Sequence, residues 1–365
     1  MKVAIVHYWL VNARGGEKVL EAICELFPHA DIYTHVYYPD PFLKSVISKH
    51  RIFETFIARL PFARKLYQNY LPLMPLALEE LDLTGYDLIL SSESGPAKGV
   101  IPPPGVPHIC YCHSPMRYAW DFYPIYKRRA GFVKRLLMPF LMHYLRRWDQ
   151  QTATQVTQFV ANSKFVQKRI RSFYARDSLV VNPPVAFSDF AISPVVGDYY
   201  LLLGQLADYK RADLAVQAFN LSGKKLVVVG DGEQFSHLRK MANANVDIRG
   251  KLPFSEIREL LSECRALVFP GVEDFGIVPL EAMACGRPVI AYRKGGALET
   301  IRENITGLFF DEQTIDSLNF AVDEFEVRQS EFNSNEIRMH AERFGEERFK
   351  TEFSAVVDKV LLESS

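Results

Sequence analysis

The 365-residue sequence has only five cysteines and no uninterrupted apolar stretch of the roughly 18 residues that a membrane-spanning helix needs. The cysteines are odd in number and lie mostly within apolar runs, which indicates reduced thiols in a cytosolic protein rather than a disulfide framework. Cys110 and Cys112 flank Tyr111 in a predicted strand, where burial is expected and a metal site is the alternative. Residues 1–10 show no basic leader before a long apolar core, so no secretory signal is expected.

The chain also lacks net charge, but this balance hides two oppositely charged halves. Residues 1–185 contain 23 basic and 14 acidic residues, a net charge of +9, and the remainder contains 20 basic and 29 acidic residues. The asymmetry indicates that the first half meets an anionic surface or ligand, although attraction between the halves would give the same split. With 48% hydrophobic and 24% charged residues, the chain is typical of a globular protein long enough for two domains.

Two series of alternating strand and helix patterns predict two α/β domains. The first begins with an apolar strand at 3–9, a glycine turn and a helical pattern at 17–26, and the second begins with a strand at 199–203. Repeated units of this kind imply parallel sheets covered by helices. The expected domains are 1–185 and 197–345, joined by a proline-containing linker. A C-terminal helix at 346–365 remains, and the sequence leaves open on which domain it packs.

The most informative segment is 269–292, where a strand, a loop, a short helix and a second strand follow one another. Pro279 suits the first turn of the helix, which Gly286 and Pro288 then end. The loop before it therefore lies at the helix N-terminus, where backbone N–H groups and the helix dipole favour a diphosphate or another anion.

Two glutamates of this segment are candidate ligand-binding residues. Glu281 is expected in the first turn of the helix, where its carboxylate can accept hydrogen bonds from a ribose diol. Glu273, at the end of the strand, can reach hydroxyl groups of a transferred sugar. As the alternative, both carboxylates merely complement the helix dipole, at about 0.3–1 kcal/mol each.

Glu273 and Glu281, with seven residues between them that include Phe275-Gly276 and Pro279, resemble the Glu-x7-Glu signature of glycosyltransferase family 4. Within that family the chain is most similar to bacterial mannosyltransferases of O-antigen and related surface polysaccharides. The resemblance implies a GT-B fold of two Rossmann-like domains facing across a cleft, GDP-mannose as donor, and retention of the anomeric configuration. It extends over nearly the whole chain through Gly15-Gly16-Glu17, His113-Ser-Pro-Met-Arg117-Tyr118, Asn162-Ser163, Tyr209-Lys210-Arg211, Val229-Gly230-Asp231-Gly232 and Gly295-Gly296-Ala-Leu-Glu299-Thr300.

The resemblance also implies a role for each matching residue. Glu273 and His113 would face the sugar, and Lys210 would neutralise the diphosphate, so these three are the expected catalytic residues. Family members usually carry arginine where this chain has Gln205, and Arg211 is the candidate replacement. No metal is expected, because no Asp-x-Asp motif follows a strand and the lysine, helix dipole and backbone can stabilise the leaving group. The expected donor-binding residues are Gly15, Gly16, Gln205, Lys210, Arg211, Gly230, Gly232, Lys251, Leu252, Phe275, Gly276, Ile277, Val278 and Glu281.

Other functions remain open from the sequence. Gly230-x-Gly232 resembles the start of a dinucleotide fingerprint, but Phe235 occupies the third glycine position, which disfavours a nicotinamide enzyme. UDP-glucose or UDP-N-acetylglucosamine would suit the same fold as donor. A non-catalytic nucleotide-binding scaffold of a polysaccharide assembly complex would explain the loss of the usual arginine at Gln205.

Residues 126–147 carry seven cations among large apolar residues and contain no acid. Such a composition favours peripheral contact with an anionic membrane, at the inner face of the cytoplasmic membrane. The alternative is a helix packed on the core with its cations solvated, and Pro139 interrupts any long helix. The expected acceptor is an oligosaccharide linked to a polyprenyl diphosphate, with residues 51–81 as a second candidate surface for it. Nucleic acid is not expected as a partner, because nothing in the second half requires it.

Overall fold

The computed structural model describes residues 1–13, 15–129 and 131–364, without the side chains of Ile125, Arg129 and Val133. The chain forms two compact units. The first comprises Met1–Pro184 and Phe349–Ser365, and the second comprises Val185–Arg348.

A seven-stranded, wholly parallel sheet forms the centre of the first domain. Its strands are β1 Val3–His7, β2 Asp31–Thr34, β3 Arg51–Glu54, β4 Leu88–Glu93, β5 His108–Cys112, β6 Gln158–Ala161 and β7 Ser178–Val180, in the order β3-β2-β1-β4-β5-β6-β7. The helices are α1 Gly15–Leu26, α2 Ala63–Leu66, α3 Met74–Glu79, α4 Tyr123–Arg129, α5 Phe132–Ala153 and α6 Lys164–Tyr174. Every residue of β1 and β4 is buried, as the apolar runs predict for central strands of a parallel sheet.

The second domain has a six-stranded parallel sheet. Its strands are β8 Tyr199–Leu203, β9 Lys225–Val229, β10 Val246–Arg249, β11 Leu267–Phe269, β12 Val289–Tyr292 and β13 Gly307–Phe310, in the order β10-β9-β8-β11-β12-β13. The helices are α7 Ala212–Ser222, α8 Phe235–Met241, α9 Phe254–Glu263, α10 Ile277–Ala284, α11 Ala297–Thr300, α12 Ile315–Arg328 and α13 Ser334–Ala341. Both sheets thus contain the doubly wound arrangement, in which successive strands run outward from a central pair.

The C-terminal helical region is divided between the two domains. An extended Gly345 separates α13 from the last helix, α14, which spans Glu346–Ser364. The buried face of α14 includes Phe349, Phe353 and Val357, which belong to the apolar core beneath β1 and β4. The chain therefore returns to the first domain after completing the second.

Residues 185–197, expected to be a linker, pack on the second domain. The backbone N–H of Val185 donates to the carbonyl oxygen of Phe344 at 3.0 Å. Phe190 is buried, and Arg338 donates to its carbonyl oxygen at 2.9 Å. The prolines at 183 and 184 interrupt regular structure, but the segment beyond them is held by the domain that follows.

All five cysteines are buried, including Cys110 and Cys112 on β5. Burial raises the pKa of both of these thiols well above the usual value. Within residues 1–13, 15–129 and 131–364, no group of three or more His, Cys, Asp or Glu side chains is arranged to hold a metal ion. Over the same residues, no helix is both long and apolar enough to cross a membrane.

Candidate functional site

An ion pair lies at the carboxyl ends of β8 and β11, where the strand order of the second sheet reverses. Lys210 Nζ is 2.6 Å from Glu273 Oε1, and the two side chains are 16% and 18% exposed. Ligands of parallel α/β sheets bind outside the carboxyl ends of the strands at such a reversal. The residue predicted to neutralise a diphosphate and the residue predicted to reach the sugar are therefore in direct contact.

The turn between β8 and α7 positions Lys210. A single turn of 3-10 helix ends at this residue, and a β-carbon built on Gly204 would lie 3.1 Å from Lys210 Nζ. The amine thus lies against the backbone at the point where β8 ends. Gly271, in the loop after β11, approaches the backbone of this turn, because a β-carbon there would lie 2.6 Å from the α-carbon of Lys210. The two loops therefore pack backbone against backbone, which places the lysine beside the carboxylate of Glu273.

Arg211 and Gln205 share this loop with Lys210. Arg211 has a left-handed backbone conformation, with φ 54°, and is the N-cap residue of α7. Its Nε donates to Asp213 Oδ1 at 3.1 Å, so its guanidinium interacts with the first turn of its own helix. Gln205 is exposed. Lys210 is accordingly the cation of this loop that contacts Glu273.

The helix α10 begins four residues after Glu273, and two residues earlier than Pro279 suggested. Gly276 adopts a left-handed conformation, with φ 91°, and α10 starts at Ile277 and Val278, which are half-buried. The prediction that Glu281 lies in the first turn is therefore wrong, because it is the fifth residue of the helix. All eight residues of α10 are described, and its first turn has no acidic side chain. The positive end of the helix dipole is thus not neutralised from within the helix.

The loop after β12 packs tightly against the loop that carries Glu273. Gly296 donates its backbone N–H to the carbonyl oxygen of Glu273 at 2.9 Å. A β-carbon at Gly296 would lie 2.3 Å from the α-carbon of Phe275, a buried residue whose ring contacts Phe344. The Gly295-Gly296 motif is thus explained by the approach of two backbones beside the candidate site.

Gly296→Ala is expected to lower the stability of the second domain by about 1–3 kcal/mol, the usual cost of overpacking. The φ of −67° at Gly296 suits alanine, so the effect isolates the contact with Phe275. Gly250→Ala is the matched control, because its β-carbon would lie 3.8 Å from the nearest atom, in Phe235. Differential scanning calorimetry measures both variants, and equal transition temperatures would contradict the prediction.

Gly230, Gly232, Lys251 and Leu252 lie at the same edge of the second sheet, beyond the loop of Lys210. A β-carbon at Gly230, where φ is 146°, would lie 1.8 Å from the carbonyl oxygen of Gly204, so only glycine permits this approach. The backbone N–H of Gly230 also approaches the loop after β10, which carries exposed Lys251 and half-buried Leu252. These four residues therefore border the site at its β9–β10 side.

The first domain brings together Gly16 and His113 at the carboxyl edge of its own sheet. Gly15 and Gly16 begin α1, and a β-carbon on Gly16 would lie 2.9 Å from the hydroxyl oxygen of Tyr8 and 3.8 Å from His113 Nε2. His113 follows β5, and its Nε2 lies 2.9 Å from the hydroxyl oxygen of Ser92 at the end of β4. Tyr8 lies within the predicted strand at 3–9, and Ser92 is the last residue but one of β4; neither was predicted as a site residue.

The imidazole of His113 is neutral at physiological pH. Desolvation by its surroundings, with a smaller contribution from nearby His7, lowers the pKa of His113 to about 3. A neutral ring offers one N–H donor and one acceptor, so it can exchange hydrogen bonds with uncharged hydroxyl groups. This character suits contact with a sugar better than contact with a phosphate.

A buried group of three charged side chains lies directly beside this edge, and none of the three was predicted as a site residue. Lys98 is fully buried, and its Nζ contacts Asp149 and lies 3.3 Å from Glu93 Oε1. Trp120 Nε1 and the Tyr174 hydroxyl also donate to Asp149, at 2.8 and 3.2 Å. The backbone carbonyl of Glu93 accepts from the N–H of His113 at 2.8 Å, so this group supports the strand end that carries the histidine.

Family comparisons match both domains. A model described as Glycosyltransferase Family 4 matches residues 13–185, and one described as Glycosyl transferases group 1 matches residues 193–345. Across 98% of this chain and 100% of the other, the structure superposes on Anabaena Alr3699/HepE in complex with UDP-glucose, with a TM-score of 0.74 and 17% identity. At that identity the likeness shows the fold alone.

Curated relatives include enzymes named as mannosyltransferases. The chain is 26% identical to alpha-1,3/1,6-mannosyltransferase ALG2 of Saccharomyces cerevisiae over 54% of this chain and 48% of that protein. It is 34% identical to the GDP-mannose-dependent alpha-(1-6)-phosphatidylinositol monomannoside mannosyltransferase of Mycobacterium tuberculosis over 33% of this chain and 36% of that protein. The matches thus span half or less of the length of these two relatives. The chain belongs to the GT-B glycosyltransferases, with a first domain of glycosyltransferase family 4 and a second domain of glycosyl transferases group 1.

Proposed function

We propose that this protein is a retaining α-mannosyltransferase that uses GDP-mannose to extend a lipid-linked oligosaccharide in surface-polysaccharide or O-antigen biosynthesis. The observation that carries the proposal is the pair of Lys210 and Glu273 beside the N-terminus of α10. Relatives named as mannosyltransferases, one of them GDP-mannose-dependent, support the choice of sugar and nucleotide.

The donor diphosphate would lie between Lys210 and the first turn of α10. There the ammonium group and the helix dipole both stabilise the negative charge that develops on the departing nucleotide. Glu273 would turn from the lysine toward hydroxyl groups of the mannose, while Glu281, farther along α10, would bind the ribose. These contacts would stabilise the leaving diphosphate without a metal ion.

Transfer would proceed on one face of the sugar. The bond between the anomeric carbon and the phosphate oxygen breaks, and its electron pair stays with the GDP leaving group. The acceptor hydroxyl oxygen forms the new bond to the anomeric carbon from the same face and gives its proton to the departing phosphate. Neutral His113 has one N–H donor and one acceptor, which suit a hydrogen bond to a sugar hydroxyl group. A mannosyl-enzyme adduct trapped with the donor would contradict this route.

A donor screen on the purified full chain tests the proposed function. With GDP-mannose, release of GDP is expected at least about tenfold faster than release of UDP from UDP-glucose or UDP-N-acetylglucosamine, a difference of about 1.4 kcal/mol in barrier. A lipid-linked acceptor should increase the rate further, and NMR of the product should show the α-anomer. Preference for a UDP-sugar would contradict the choice of donor. No turnover with any donor, with or without acceptor, would favour the scaffold function.

The proposed lipid-linked acceptor would place the enzyme at a membrane. A polyprenyl-diphosphate anchor would keep the growing oligosaccharide at a bilayer surface, so the enzyme would act there as a peripheral protein on the cytoplasmic face. Residues 126–147 are the proposed contact; within them, Ala130 and the side chains of Arg129 and Val133 lie outside the described residues.

A further inference from the structure

The first half of α5 presents a row of large apolar side chains to solvent. Phe132, Leu136, Leu137 and Phe140 are 84%, 63%, 60% and 76% exposed. At 100° per residue, Phe132, Leu136 and Phe140 follow one another along the helix, and Leu137 lies beside them. We call these four residues the α5 stripe. Soluble monomers rarely expose a large contiguous apolar patch unless it serves in binding.

The second half of the same helix is anchored in the first domain. Met142, Leu145 and Trp148 are buried in its apolar core, and Asp149 belongs to the buried charged group. The helix continues through Pro139, so the expectation that this proline interrupts a long helix is wrong. Its 22 residues form one firmly packed half and one half whose described side chains are mostly exposed. Because the anchored half fixes the direction of α5, the stripe is a preformed surface.

Positive charge flanks the α5 stripe. At 100° per residue, Lys134 lies about 60° from Leu137 and Arg135 about 60° from Phe132, so these two exposed cations lie at opposite margins of the stripe. Arg135 donates to the backbone carbonyls of Lys127 and Arg128 at the end of α4. An open cavity of about 350 Å³ between the two helices is lined by Tyr123, Pro124, Lys127, Arg128 and Arg135. Three of these five lining residues are basic, so the surface combines apolar and cationic groups.

We infer that the α5 stripe inserts into the headgroup region of an anionic lipid bilayer, with Lys127, Arg128, Lys134 and Arg135 against the lipid phosphates. This inference rests on the peripheral placement proposed above and names the surface responsible for it. A helix with an apolar side and flanking lysine or arginine residues suits such an interface. Anionic lipid supplies both an apolar phase for the stripe and negative charge for the cations.

A second copy of the chain would fit this surface less well. From Phe122 to Trp148 the sequence has no acidic residue, so a symmetric contact would oppose cations to cations. Nucleic acid would satisfy the cations but leave four large apolar side chains without an apolar partner. The charge and the exposed apolar area together therefore favour lipid.

Sedimentation of the full chain with vesicles tests the inference. The probes are vesicles of phosphatidylcholine with 30–50% phosphatidylglycerol, about the range that gives a strongly anionic surface, and vesicles of phosphatidylcholine alone. Leu136→Gln/Phe140→Gln is expected to weaken binding to the anionic vesicles at least about tenfold at both low and high salt. Lys134→Gln/Arg135→Gln is expected to weaken binding mainly at low salt, because screening has already removed much of the attraction at high salt.

The matched control is Phe320→Gln/Val327→Gln on α12, which removes two apolar side chains of 71% and 86% exposure from the second domain. It should bind vesicles like the wild type. Wild-type protein that does not sediment with anionic vesicles at any salt, or a Leu136→Gln/Phe140→Gln variant that sediments normally, would overturn the inference. So would a dimer in sedimentation velocity without lipid that this variant abolishes, because the stripe would then bind a second copy.

Donor hydrolysis separates this inference from the proposed enzyme function. Release of GDP from GDP-mannose without acceptor is expected to be unchanged in Leu136→Gln/Phe140→Gln, since the stripe belongs to no donor-binding loop. In addition, tryptophan fluorescence of Phe140→Trp should shift to shorter wavelength on anionic vesicles and be quenched by brominated lipid. Failure of every donor would leave the vesicle result intact, whereas an unshifted tryptophan would contradict insertion whatever the donor.

Discussion

In Glu273→Gln, turnover of GDP-mannose is expected to fall by a factor of about 10²–10³, while the affinity for GDP stays constant or rises a few-fold. The loss in rate follows because a preorganised polar contact to the transferred sugar disappears. The affinity is preserved because Lys210, now without its carboxylate partner at 2.6 Å, faces the diphosphate with its full charge. Steady-state kinetics and calorimetric titration with GDP measure the two effects separately.

Lys210→Met is the opposite test of the same ion pair. It removes the cation and leaves the Glu273 carboxylate near the diphosphate, so turnover and GDP affinity should both fall. Glu256→Gln, at an exposed position of α9, is the control and should change neither. If Glu273→Gln loses as much GDP affinity as Lys210→Met, the assignment of one residue to the sugar and the other to the diphosphate is wrong.

Replacing Glu281 is expected to affect nucleotide binding and not the chemical step. Its proposed contact is to the ribose, which does not change during transfer, so Glu281→Gln should weaken GDP binding and leave the turnover number nearly constant once donor is saturating. The fifth position of α10 places this side chain one turn beyond the helix N-terminus. The mutation should therefore leave the anion-binding end of the helix unchanged.

Much of the second domain was predictable because its signals are local. Apolar strand runs followed by helical periodicity specify βα units, and parallel strands bring their carboxyl ends to one edge. That edge is where Lys210 and Glu273 lie, 63 positions apart in sequence. The start of α10 was less predictable, because the left-handed conformation of Gly276 begins the helix before Pro279 and so moves Glu281 out of the first turn.

The buried charged group in the first domain could not be predicted from local patterns. Glu93 and Lys98 lie in Ser-Ser-Glu-Ser-Gly-Pro-Ala-Lys-Gly, a composition typical of a solvated loop. Their burial depends on Asp149, which belongs to α5 and lies 51 positions from Lys98. One signal was present: Glu93 continues the apolar strand of β4, and a charge at the end of a central strand needs a partner.

Replacing Lys98 is expected to destabilise the first domain strongly. Lys98→Met would leave two buried carboxylates, Glu93 and Asp149, without their cation, a change that typically costs about 3–5 kcal/mol. Lys18→Met is the matched control, because it removes the same groups from a pair at the surface of the same domain, in which Lys18 is exposed and Glu21 half-buried; surface pairs are worth about 0.2–1 kcal/mol. The three tryptophans of the chain, Trp9, Trp120 and Trp148, all belong to this domain, so urea unfolding followed by tryptophan fluorescence reports its stability.

The effect of Lys98→Met should depend on pH. Burial raises the pKa of Glu93 to about 7 despite the opposing attraction of Lys98. The native state therefore holds this proton at pH values where the unfolded chain, with an ordinary carboxyl pKa near 4.5, has released it. Stability contributed by Glu93 is thus fully present below the unfolded pKa and is lost as pH rises through the window from about 4.5 to 7.

Without the cation, the pKa of Glu93 should rise further. Lys98→Met should therefore destabilise the domain less at pH 5, where Glu93 is neutral, than at pH 8, where Glu93 must either ionise in a buried site or keep its proton at a cost in free energy.

Glu93→Gln provides a second measurement if Lys98→Met does not fold. The variant retains the Lys98–Asp149 pair. It also keeps a side-chain oxygen that can accept from the backbone N–H of Lys98, which in the wild type donates to Glu93 at 2.6 Å. Its stability should lack the fall between pH 4.5 and 7 that the wild type shows. Two results together would contradict the assigned role of the Glu93 proton. The wild type would have the same free energy of unfolding from pH 4.5 to 7, and Lys98→Met would lower that free energy equally at pH 5 and pH 8.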